Sequence, residues 1–158
     1  MGRFLGVDYG RARIGISHSD ERKILSSPFS VFKNHKKKHV TLAEIEQKTQ
    51  KLRPIELIVV GLPLLLSGEE GEMAKEAKAF GELLSSYLKV PCLFWDERLS
   101  SSQAERLMKE GALSRKERAS HSDTFAATLI LQNYLDFCEK TALKNLTGGA
   151  PDNFKKLD

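Results

Sequence analysis

The chain has 158 residues, 41% of them hydrophobic, which is enough for one globular domain that buries about two-thirds of its unfolded surface without staples. No window approaches the roughly 18 uninterrupted apolar residues of a membrane span, and Met1–Gly6 lacks the apolar core of a secretion signal, so the chain reads as cytoplasmic with no membrane partner. A formal charge of +4 and a pI near 9.1 favour anionic partners, and Cys92 and Cys138 share no zinc or redox spacing and read as buried packing groups.

The first third reads as three strands: Arg3 to Asp8, Arg13 to Ser17 after a tight Tyr9-Gly10-Arg11-Ala12 connection, and a third around Ser30 to Phe32. This predicts an antiparallel meander. The basic stretch Asn34-His35-Lys36-Lys37-Lys38-His39 is a loop, either a solvated charge run or a nucleic-acid contact. Val40, Ile45, Thr49 and Leu52 then recur at helical spacing up to Pro54. Ile55 to Val60 has almost no polar face, as expected of a strand covered on both sides, and ends in Gly61-Leu62-Pro63.

Ser67-Gly68-Glu69-Glu70 has capping-box spacing and predicts the start of a helix through Met73, Ala77, Phe80, Leu84 and Leu88. Val90 to Trp95 supplies a fifth strand. A helix is expected over Ser100 to Gly111, then a charged loop, then a last helix from about Ser122 to Lys140. The expected organisation is one domain over 1–140 with a flexible tail over 141–158. The fold class is α/β: a five-stranded mixed sheet, its first three strands antiparallel, with helices on both faces.

Ligands of such sheets gather beyond the carboxyl ends of the parallel strands. Asp8, Gly61 and Asp96-Glu97 all fall there, and Asp123 precedes the helical stripe Ala126, Ala127, Ile130, Leu131 and Tyr134 by three and four residues. Each acid has a plain structural alternative. Asp8 could close a turn, Asp96-Glu97-Arg98 could be a local ion pair, and Ser120-His121-Ser122-Asp123 fits a capping box. Three acids at one sheet edge repel unless a cation neutralises them. Magnesium or manganese suits an all-oxygen site, and a pair of such ions can promote attack on a phosphodiester. Arg11 and Arg13 beside Asp8, and Lys116 and Arg118 on the approach to Asp123, fit a phosphate-bearing substrate. His121 reads as a solvated helix start.

Four blocks carry a resemblance: Gly6-Val7-Asp8-Tyr9-Gly10 with Arg13-Ile14-Gly15, Ile58 to Leu64, Asp96-Glu97-Arg98-Leu99-Ser100, and Asp123 with Ala126, Ala127 and Ile130-Leu131-Gln132. In this order and spacing, from about Gly6 to Leu135, the chain resembles the YqgF family, bacterial resolvase-like proteins regarded as nucleases that mature the precursor of 16S ribosomal RNA. The resemblance implies an RNase H-like fold, Asp8, Glu97 and Asp123 as catalytic acids and metal ligands, and Arg13 and Arg98 as the family's arginines. It implies RNA as partner, with structured DNA as the alternative, and a monomer or homodimer. Leu65-Leu66-Ser67 departs from the family's pattern.

Three rival functions remain at this point: a Holliday-junction resolvase, a catalytically silent nucleic-acid binder and, ranked last, an actin-like ATPase, whose phosphate loop Asp8-Tyr9-Gly10 resembles but which would need two such lobes. There is also a geometric difficulty. In the expected strand order Glu97 lies two strand spacings from Asp8, close to 10 Å at ~4.8 Å each, so it must reach inward.

Overall fold

β1 (Arg3–Tyr9) buries Leu5, Gly6 and Val7 at its centre, leaves both its ends half-buried, and pairs antiparallel with β2 (Arg13–Ser19), Asp8 lying opposite Gly15. The structure is a computed structural model that describes residues 2–97 and 122–146, the side chains of 122, 123, 145 and 146 excepted. β3 (Ser26–Lys33) completes the meander. It is longer than its sequence signal, because Pro28 is accommodated on an edge strand, where a missing donor faces no neighbour.

The chain then crosses through α1 (Lys38–Thr49) and a short 3-10 turn, Gln50–Leu52, into β4 (Ile55–Leu62), which runs parallel to β1. A second crossover through α2 (Glu72–Leu88) leads to β5 (Cys92–Asp96), parallel to β4. The sheet order is β3-β2-β1-β4-β5. The last described element is α3 (Ser122–Leu146). This is the expected five-stranded RNase H-like mixed sheet.

Two cores cover its faces. On one, Leu5, Val7, Ile14, Ile16, Ile58, Val60 and Phe94 meet Leu42 and Ile45 of α1 and Ala77, Phe80 and Leu84 of α2. On the other, Val59, Leu93 and Trp95 meet Ile130, Leu131, Tyr134 and Leu135 of α3. β4 lies inside the sheet between β1 and β5 and is buried on both sides, which is why it shows almost no polar face.

The helix α3 sits very close to the sheet where it crosses β1. A Cβ on Gly6 would lie 2.7 Å from Leu131 Cβ and 2.8 Å from the Ala127 carbonyl oxygen, so glycine is what lets the two backbones approach. Buried Ser17, opposite Gly6 on β2, donates its hydroxyl to the same Ala127 carbonyl at 2.8 Å.

Three expectations are corrected. Ser67 does not cap α2: its hydroxyl accepts from the Glu69 amide at 3.3 Å inside a turn closed by Leu65 N–H to Glu69 C=O, and the helix opens five residues later at Glu72 behind Gly71, which makes no side-chain cap. The last helix, expected to end at about Lys140, continues as α3 to Leu146. Cys92 and Cys138 pack against the two cores as expected, but as half-buried rather than fully buried thiols. The helix expected over 100–111 and the chain beyond 146 lie outside the described residues. Among the described residues no helix is long and apolar enough to cross a membrane.

Candidate active site

Strand register decides which acids become neighbours. Val7 lies opposite Val60, so the next residues outward, Asp8 and Gly61, stand side by side, and Gly61 is in turn opposite Trp95. Glu97 is two residues beyond Trp95 and so shares its face. Gly6 and Trp95 both face α3, and the period of two places Asp8, Gly61 and Glu97 on that same α3 side, at the carboxyl ends of β1, β4 and β5.

The two-strand gap is closed by Glu97 lying over Gly61. A Cβ on Gly61 would stand 2.5 Å from Glu97 Oε1 and 3.0 Å from Ile130 Cγ1, so the carboxylate crosses the intervening strand only because that strand carries no side chain there. The Glu97 amide donates to the Leu62 carbonyl at 3.3 Å, which fixes the residue just past the end of β5. Burial, and then the charges of Asp8 and Asp96, push the Glu97 carboxyl up to about 7. Asp8 and Glu97 are therefore electrostatic neighbours although β4 separates their strands.

Asp123 lies in the first turn of α3, and its side chain is outside the described residues. The backbone gives its place. Tyr134 packs on Phe4 with ring centroids 6.1 Å apart, and Leu131 and Ala127 lie over Gly6, so α3 runs antiparallel to β1 with its start toward the Asp8 end. Among the described residues no group of three histidine, cysteine or acidic side chains could hold a metal ion.

The two arginines near Asp8 have different surroundings. Arg11 is gripped by Glu76 of α2, with Nε and Nη2 donating to Oε2 at 3.0 and 2.7 Å, and the Tyr9 hydroxyl donates to Glu76 Oε1 at 3.4 Å. Arg11 in turn holds the Glu76 carboxyl below the usual carboxylate range. Arg11 is thus committed to the α2 side of the sheet. Arg13 opens β2 as an exposed residue two positions before Gly15, so strand alternation puts it on the face of Asp8. Arg98, Lys116, Arg118 and His121 lie outside the described residues.

Gly61 was placed at the sheet edge from sequence but given no role there, and Glu76 was not singled out. A glycine ending an otherwise β-branched buried strand is the usual mark of a close approach and was the available signal for Gly61. Glu76 carries no comparable signal, since it is one of many acids on an exposed helix face.

Residues 2–137 match the RuvX family, described as Holliday junction resolvase. The chain belongs to the RuvX family. Similar RuvX-family proteins include one from Protochlamydia amoebophila, 44% identical over 140 residues that span 85% of this chain and 93% of the relative, and provisionally named a pre-16S rRNA nuclease. One from Syntrophomonas wolfei with the same provisional name is 44% identical over 136 residues, 85% of this chain and 94% of its own. T. thermophilus RuvC in complex with a Holliday junction superposes with a TM-score of 0.56 at 13% identity, over 89% of this chain and 96% of that one, a likeness of fold.

Proposed function

We propose that this RuvX-family chain is a metal-dependent nuclease that hydrolyses phosphodiester bonds in the precursor of 16S ribosomal RNA, in the cytoplasm, with Asp8, Glu97 and Asp123 as its catalytic acids. The observation that carries this reading is the pairing of Asp8 with a half-buried Glu97 whose carboxyl is pushed up to about 7. Two carboxylates and a third acid at one water-accessible edge make an all-oxygen donor set, and their mutual repulsion is what a hard divalent cation relieves. The residues fit magnesium or manganese.

In this reading Asp8, Glu97 and Asp123 hold the ion, which when bound supplies Lewis acidity and neutralises charge on the phosphoryl oxygens. Arg13, with Arg98, Lys116 and Arg118, holds substrate phosphates. Arg11 has a lesser part, because Glu76 already occupies its guanidinium. The net reaction adds water across one P–O ester bond. The names of the curated relatives support RNA as substrate.

The description of the matched family favours a second reading, resolution of four-way DNA junctions, which needs two sites and hence a homodimer. One experiment separates the readings. Wild-type protein and Asp8→Asn are incubated with Mg2+ or Mn2+ and either labelled precursor rRNA or a four-way junction. Cleavage of RNA by wild type and none by the variant, at equal Tm, is expected. Preferred cutting of the junction supports the second reading, and cleavage by Asp8→Asn removes the site. Metal-independent binding with no product under any divalent ion would make the chain a silent binder.

A further inference from the structure

The basic loop between β3 and α1 is fastened to the loop that follows Asp8. Asn34 is the fastener. Its amide donates to the Ala12 carbonyl at 2.9 Å, and its side-chain Nδ2 donates to the Gly10 carbonyl at 2.9 Å. Lys38 closes the arrangement by donating its ammonium to Asn34 Oδ1 at 2.5 Å, while the His35 amide donates to the Thr41 hydroxyl at 2.8 Å. A loop held at both ends in this way presents its tip in a defined place rather than sweeping through solvent.

That tip is Lys36-Lys37, and both residues are exposed. The neighbouring acids are already engaged: Glu44 with His35 Nε2 at 2.9 Å, and Glu76 with Arg11 at 2.7 Å. Lys33, also exposed, lies directly opposite Arg13, which itself stands two residues, about 7 Å along the strand, beyond the position paired with Asp8. Arg13 and Lys33, with Lys36-Lys37 on the loop that Asn34 holds to Gly10 and Ala12, thus gather at the sheet edge where β1 ends in Asp8. Their charge is opposite to that of the acids and matches a polyanion extended across both.

We infer that the Lys36-Lys37 loop, pinned by Asn34 to the Gly10–Ala12 turn, is a clamp for the phosphodiester backbone of the RNA strand flanking the scissile bond. The clamp rests on the nuclease reading and extends it to a surface outside the acid site. It contacts phosphates, so it adds affinity that is indifferent to base sequence and sensitive to salt. It does not touch the bond that breaks, so it leaves the chemical step alone.

The test uses the full chain and a labelled single-stranded RNA. Binding is measured between 50 and 200 mM KCl in Ca2+ for wild type, Lys36→Ala/Lys37→Ala and Lys36→Arg/Lys37→Arg, with Asp8→Asn as a control that should bind but not cut, and cleavage is followed separately in Mg2+. The alanine pair is expected to weaken binding on the order of tenfold and to lower the slope of log K against log salt by roughly 1.4, two contacts at ~0.7 each for a single strand. The kcat at saturating RNA is unchanged, and the arginine pair keeps both affinity and slope.

An unaltered salt slope in the alanine pair overturns the clamp while leaving the nuclease reading intact. Failure of wild type to bind RNA at all overturns both. A fall in kcat without change in binding also overturns it, since that would place the loop in the chemical step.

Discussion

Glu97 Oε1 occupies the space that a side chain on Gly61 would fill, 2.5 Å from where its Cβ would be. That contact joins the ends of β4 and β5 and brings an acid from the outer strand over β4, within electrostatic influence of Asp8. The same missing side chain also seats Ile130 of α3, so one glycine serves both the acid pair and the helix packed above it.

Gly61→Ala is therefore expected to be harmful in two separable ways. Overpacking against Ile130 should cost about 1–3 kcal/mol, and displacement of the Glu97 carboxylate should lower kcat on the order of 100-fold. Adding Ile130→Val trims the helix side of the collision and should restore most of the stability but not the activity or the Mn2+ affinity read by electron paramagnetic resonance. Full recovery of both in the double variant would reduce Gly61 to a packing residue.

Glu97 should make the metal-free protein less stable as the pH rises. The unfolded carboxyl titrates near 4.5 and the folded one at about 7. Below 4.5 both states carry the proton, between 4.5 and 7 only the folded state keeps it, and above 7 the folded state bears the buried charge. Wild-type Tm is thus expected to fall relative to Glu97→Gln across this window, and excess Mg2+ to raise it more at pH 7.5 than at pH 5. A constant gap between the two proteins from pH 4 to pH 8 would contradict the assignment.

Arg11 and Arg13 should differ in what their removal does. The charge of Arg11 is largely cancelled by its hydrogen bonds to Glu76, whereas Arg13 stands on the Asp8 face of the sheet. Arg13→Ala is expected to weaken RNA binding several-fold more than Arg11→Ala, as read by filter binding at fixed salt. The opposite order would mean that substrate approaches from the α2 side.

The approach of α3 to β1 can be tested away from the acids. Ser17→Ala removes the hydroxyl donated to Ala127 and should cost about 1 kcal/mol in urea unfolding. Gly6→Ala places a methyl against Leu131 and the Ala127 carbonyl and should cost more, because part of the obstacle is backbone that cannot rotate away. Equal, small effects would mean that α3 is held loosely.

Much of the frame was readable before folding because it depends on local periodicity. The apolar run from Phe4 to Val7, the apolar run from Leu57 to Val60 in β4 and the stripe from Ala127 to Tyr134 each report burial within one element. Polar residues at the ends of such runs, Asp8 and Glu97 among them, stand out against that pattern.

What the linear chain by itself determined is therefore the five strands and the described helices, the placement of Asp8 and Glu97 at one sheet edge, and family membership through four ordered motifs. Folding decided the rest: that Glu97 lies over Gly61 on the neighbouring strand, that Arg11 is claimed by Glu76, and that Asn34 ties the lysine loop to the Gly10–Ala12 turn. Each of these is a contact between segments far apart in sequence. Periodicity carries information only about an element's own faces, whereas such contacts depend on register and on the space a distant side chain leaves, and those quantities exist only once the sheet has assembled.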